Sequence, residues 1–219
     1  MIVADQKPIE EIRGYLAGHT SVLVLGCGTC VTVCLAGGKR ETATLASVLR
    51  IVTPLQIEES TIERQCDAEF FDTVKDQVAR SDAVLSLACG VGVQMAARLY
   101  PDKPVYPALN TKFMGTSDGA GQWSENCLAC GDCKLGIMGG VCPVTRCSKS
   151  LSNGPCGGSS QGMCEVDPQN IECGWQLIYD RLTTLGRHDT LLEIAEPRDW
   201  SKTHAGGPRK LIREDIAEL

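Results

Sequence analysis

Thirteen cysteines in a chain of 219 residues constrain this protein more than any other feature, and eight of them fall between Cys127 and Cys173. The count is odd, so a complete disulfide scheme leaves a thiol over. The opening MIVADQKPIEEI has neither the basic n-region nor the apolar h-region of a secretory signal, so a cytoplasmic location is expected. In a reducing compartment thiols at this density bind metal more often than they pair with one another. Apolar runs such as Val22–Leu25 are too short to span a bilayer. The net charge of −6 argues against a nucleic-acid partner, because neutralising phosphates needs a basic surface.

The first half of the chain alternates strand and helix signals. Helical spacing covers Pro8–Ala17, Thr42–Ile51, Asp67–Arg80 and Val91–Tyr100. In the third of these Phe70, Phe71, Val74 and Val78 share a face, and Asp67 is placed to cap. Strands are expected near 21–25, 53–57, 83–88 and 104–109. The runs SVLVL and AVLSLA are continuously apolar, as strands covered on both faces should be. The alternation predicts an α/β fold with an open, mostly parallel, Rossmann-like sheet over residues 1–112. From 113 to 190 glycine and cysteine dominate and apolar periodicity fades. A region so poor in aliphatic core needs metal to stabilise it. Few regular elements are expected there until a helix over Ile171–Leu185. Residues 191–219 form a C-terminal arm, lying on a partner or mobile.

The cysteines fall into constellations. Cys27, Cys30 and Cys34 follow the first apolar strand, Cys89 follows the third, and Cys66 directly precedes the second long helix. In an open α/β sheet ligands bind at the carboxyl ends of strands, so these five can converge on one rim. A four-iron cluster takes four thiolates, and the alternative reading is that one or two of the five, Cys34 or Cys66 individually, are buried core cysteines. Cys127, Cys130 and Cys133 repeat the C-x2-C-x2-C start of a ferredoxin-type run. The usual fourth cysteine, three residues further on, is missing, and Cys142-Pro143 comes later, followed by Cys147, Cys156, Cys164 and Cys173. Eight thiols suffice for two four-ligand sites. Zinc also accepts four cysteines and is the rival metal for the Cys142–Cys173 group.

Other chemistry has little support. No G-x-G-x-x-G follows a strand, and no phosphate-loop signature occurs. His19, His188 and His204 pair with no evident nucleophile, so no catalytic residue is assigned.

Against this background the chain resembles a known family. The segments LGCGTCVTVCLAGGKRE (25–41), RQCDAEF (64–70), LSLACGVGVQ (85–94), PALNTKFMG (107–115), GGVCPVTRCSKSLSNGPCGGSSQGMCE (139–165) and CGWQLIYDRL (173–182) are similar to the MetV-type iron–sulfur or zinc subunits of bacterial methylenetetrahydrofolate reductase. The resemblance implies a non-catalytic accessory subunit working with a flavin-containing catalytic subunit in anaerobic one-carbon metabolism of the Wood–Ljungdahl type. It implies relay of electrons from a ferredoxin or a further electron-donating complex through two or three 4Fe–4S clusters, with zinc as an additional metal. It also implies Cys27, Cys30, Cys66 and Cys89 as rim ligands, with Cys34 as their rival, and the eight cysteines from Cys127 to Cys173 as further ligands. Their division among sites stays open. Two other classes remain: a structural adaptor whose metals only fold it, and a self-sufficient reductase holding folate near Asn110 or Trp123.

Overall fold

The computed structural model describes residues 1–217. The chain divides into two compact units, Met1–Ser124 and Glu125–Leu219. In chain order the first unit contains β1 (Ile2–Gln6), α1 (Ile9–Leu16), β2 (Ser21–Cys27), the short α2 (Cys30–Val33), α3 (Lys39–Val52) and β3 (Gln56–Ile62). A 3-10 segment over Ala68–Val74 leads into α4 (Lys75–Arg80), and β4 (Ala83–Leu87), α5 (Gly90–Leu99), β5 (Val105–Pro107) and β6 (Leu109–Gly119) follow, with β7 (Gln122–Cys127) running across the division between the units.

The central sheet is parallel with strand order β3-β2-β4-β5. Because β2 is internal, successive side chains face two different layers. Val22 and Val24 pack with Ile12, Leu16, Leu45 and Leu49 on one side. Leu23 and Leu25 pack with Phe71, Val74, Val78 and Ala96 on the other. That is why β2 reads as an unbroken apolar run. Each fully buried aliphatic side chain here contributes ~1.5–3 kcal/mol relative to exposure. The chain leaves β2 toward β3 on one side and returns to β4 on the other, so the strand order switches direction beside the carboxyl end of β2.

Several elements differ from the sequence expectation. The strand expected near 53–57 runs Gln56–Ile62, since Thr53 and Pro54 complete the exit from α3. Its sequence QIEESTI belongs to a half-exposed edge, which hides it from an apolar search. The helix expected over Asp67–Arg80 is broken at Val74, whose φ of −123° leaves the helical region, and Asp67 makes no side-chain cap. The strand expected over 104–109 splits at Ala108: β5 completes the parallel sheet, and β6 joins β1 and β7 in a second, antiparallel sheet. The texture change near residue 112 therefore lies inside β6.

In the second unit the regular elements are α6 (Pro143–Arg146), β8 (Met163–Cys164), β9 (Asp167–Glu172) and α7 (Gly174–Thr184), with short 3-10 turns and α8 (Glu214–Ala217) after them. Its core is small: Met138, Trp175, Ile178 and Leu182 are buried together, and the Trp175 indole N–H donates to the Leu151 carbonyl at 3.1 Å. Among the described residues no helix is long and apolar enough to cross a membrane.

Candidate metal centres

The carboxyl edge of the parallel sheet gathers the first group of cysteines. Cys27 is the last residue of β2, and Cys30 opens α2. Cys66 follows β3, and Cys89 occupies the N-cap position of α5 after β4. Since β3, β2 and β4 run parallel, these positions share one edge. Partial desolvation pushes the Cys66 thiol pKa up, and the Cys27 and Cys89 thiols push it further in the same direction, a sign of their proximity. The backbone around Cys27 is fixed from two sides. Its N–H donates to the Gly37 carbonyl at 3.0 Å, and the Thr32 hydroxyl donates to its carbonyl at 2.9 Å.

Cys34 is placed differently. Its Sγ lies 3.7 Å from both the Ala4 and Val31 carbonyls, inside the apolar layer with Val3 and Val31. Burial raises its thiol pKa.

Gln65 is a residue that sequence reasoning missed. It is fully buried. Its Nε2 donates to the Leu25 carbonyl at 2.8 Å and the Gly26 carbonyl at 3.1 Å, and its Oε1 accepts from the Ser86 hydroxyl at 2.7 Å. It thus ties the residue before Cys66 to the ends of β2 and β4. The only sequence signal was an amide beside a cysteine, which carries no periodicity.

The second group surrounds a cavity of about 320 Å³ lined by Cys127, Cys130, Cys133 and Cys142, together with Leu128, Pro143, Val144 and Arg198. The loop coils tightly because Ala129 and Gly131 take positive φ of 49° and 84°. The Ala129 N–H donates to the Cys127 sulfur at 3.3 Å. Arg198 aims its Nη2 at the Cys130 sulfur and the Asp132 carbonyl.

The remaining four thiols sit on neighbouring segments. A Cβ on Gly174 would come within 2.5 Å of the Arg146 carbonyl group and 2.9 Å of the Cys147 nitrogen. Only glycine lets α7 start that close, which brings Cys173 beside Cys147. The Cys173 N–H donates to the Gly162 carbonyl at 2.8 Å, next to the β8–β9 ribbon that carries Cys164. Cys156 accepts from the Gly158 N–H at 3.4 Å and approaches Glu165 Oε1 at 3.3 Å. The Ser148 hydroxyl, 3.5 Å from the Cys164 sulfur, is the main cause that lowers the Cys164 pKa. The Lys149 ammonium is raised chiefly by its pairing with Glu165, and more weakly by the Cys156 and Cys164 thiols.

Among the described residues no three His, Cys, Asp or Glu side chains form a group that could hold a single metal ion.

Residues 106–201 match the family model described as methylene-tetrahydrofolate reductase C terminal, under half of the chain. Over that stretch the chain is similar to the C-terminal region of methylene-tetrahydrofolate reductase. The match takes in every cysteine of the second unit and extends beyond Arg198. No curated protein and no solved structure matches the chain.

Proposed function

We propose that this chain is the electron-transfer subunit of a methylenetetrahydrofolate reductase, MetV-like in kind, serving a separate flavin-bearing catalytic subunit. The observation that carries this reading is the cavity ringed by Cys127, Cys130, Cys133 and Cys142, within a stretch related to the reductase. Four thiols around a space of this size, rather than at a point, fit the corners of a 4Fe–4S cube better than a lone ion. The sheet rim offers a second set of four in Cys27, Cys30, Cys66 and Cys89, and Cys34 is left to the core. Cys147, Cys156, Cys164 and Cys173 are the remaining thiols of the second unit, and binding of a structural zinc or a further cluster would draw their side chains together, since none of them is gathered at a single-ion point among the described residues.

When bound, such clusters supply one-electron exchange without bond chemistry. The chain's own residues then act by position and field. Gln65 and Thr32 hold the rim backbone, and the Ala129 N–H gives a hydrogen bond to the Cys127 sulfur. The exposed apolar side chains of Val33, Leu35 and Val91 lie close in sequence to the rim cysteines and suit contact with a partner. Methylene reduction belongs to the partner's flavin and folate.

The test is a redox titration of anaerobically purified protein, followed by electron paramagnetic resonance. At least one reducible cluster signal is expected. A silent protein holding only zinc overturns the reading in favour of a structural adaptor.

A further inference from the structure

Arg198 belongs to the C-terminal arm, yet its side chain lines the cavity of Cys127, Cys130, Cys133 and Cys142. Its Nη2 faces the Cys130 sulfur and the Asp132 carbonyl. The guanidinium carbon stands 5.2 Å from the centroid of the Trp200 ring. Its Nε is buried without a hydrogen-bond partner. The arm is pressed against the cysteine loop at this point: a Cβ on Gly131 would come within 2.4 Å of the Lys202 carbonyl oxygen, and Arg209 donates to that same carbonyl.

Placing a cation here has a cost. A desolvated guanidinium nitrogen left unpaired is unfavourable, and so is ordering a long side chain from an otherwise exposed arm. The other charges at the cavity offset one another, since Lys134 pairs with Asp132 at 3.2 Å. Among the described residues no carboxylate pairs with Arg198. Its charge is therefore directed at sulfur.

We propose that Arg198 sets the reduction potential of the centre held by Cys127, Cys130, Cys133 and Cys142. This rests on the cluster reading given above. Four thiolates make the site anionic, and taking up one electron makes it more so. A fixed cation at the sulfur of one ligand stabilises the reduced form more than the oxidised form and raises the potential. No bond forms or breaks and no proton moves. In the test below, dithionite supplies the electron. Stacking on Trp200 keeps the planar guanidinium in place, which a lysine ammonium would achieve less well.

The experiment compares wild type, R198M and R198K as full chains purified without oxygen, with iron and sulfide assayed before each titration. With iron content unchanged, R198M is expected to shift the midpoint of this one centre downward by ~59 mV, a tenfold change in a one-electron equilibrium. R198K should recover part of that shift, and the sheet-rim centre should keep its midpoint in all three proteins. Full iron with an unmoved midpoint in R198M overturns the proposal and leaves the cluster reading intact. If R198M loses iron, R198Q, which keeps a donor but no charge, takes its place under the same criterion. Wild type free of iron removes the cluster reading itself, and the role of Arg198 falls with it.

Discussion

Gln65→Leu tests how the fold builds the sheet-rim site. The substitution keeps the approximate volume and the apolar packing but removes three hydrogen bonds, two given by Nε2 to the Leu25 and Gly26 carbonyls and one received from Ser86. All three lie in a fully buried setting, because Gln65 and Ser86 are both inaccessible. A buried polar group stripped of its partner costs ~1–3 kcal/mol. The carbonyls sit at the end of a strand that pairs on both sides, and the Ser86 hydroxyl, which loses its acceptor, is a single neutral donor free to rotate. Each loss therefore belongs at the low end of that range, and the sum is about 3 kcal/mol. Against a typical stability of ~5–15 kcal/mol, such a loss leaves a folded but weakened protein. Urea unfolding followed by circular dichroism measures the change, and iron analysis on the same samples reads the rim. The expected outcome is the loss of stability together with loss of the rim centre, while the centre at Cys127–Cys142 persists. A change below ~0.5 kcal/mol with full iron would refute the claim that this amide fastens Cys66 to the ends of β2 and β4.

Three further outcomes are expected. Cys130→Ala should remove one reducible centre, with iron falling by about four per chain, and leave the rim signal unchanged; unaltered iron content defeats that assignment. Cys34→Ala should keep all iron and sulfide while costing ~1 kcal/mol in unfolding free energy from lost packing, because the thiol faces the Ala4 and Val31 carbonyls within the core; loss of a cluster would make Cys34 a ligand. Asp82 accepts hydrogen bonds from the Thr20 N–H and hydroxyl and from the Ser21 N–H, and these hold its carboxyl well below the usual range. Its folded pKa lies below its unfolded value, so its stabilisation is complete above ~pH 3.9 and drains away as pH falls further. The stability gap between wild type and D82N should accordingly close on acidification, as thermal unfolding from pH 6 to 2 can show; a gap that widens contradicts it.

Much of the fold is legible in the sequence because β2 and β4 are covered on both faces and advertise it as continuous apolar runs. The edge strand β3 and the antiparallel β1-β6-β7 sheet are half exposed, so their residues alternate or are plainly polar and escape a search for apolar runs. The break at Val74 has no Gly or Pro to announce it. At the rim, strand ends locate Cys27 and Cys89, but the choice between Cys34 and Cys66 depends on which way each side chain faces after a short helix or loop, and spacing does not encode that. The grouping of Cys142 with Cys127, Cys130 and Cys133 was equally hidden, since it depends on loop coiling at Ala129 and Gly131. Gln65 and Arg198 act through contacts distant in sequence, 39 and 40 positions for the two Gln65 carbonyls and 68 for Arg198 and Cys130. No local pattern marks such residues.

The most direct test is the iron, acid-labile sulfide and zinc content of the full chain purified without oxygen. Occupied sites at the rim and at the Cys127–Cys142 cavity give about eight iron and eight sulfide per chain, with one zinc or about four more iron at the remaining cysteines. Zinc alone, without iron or sulfide, contradicts the account.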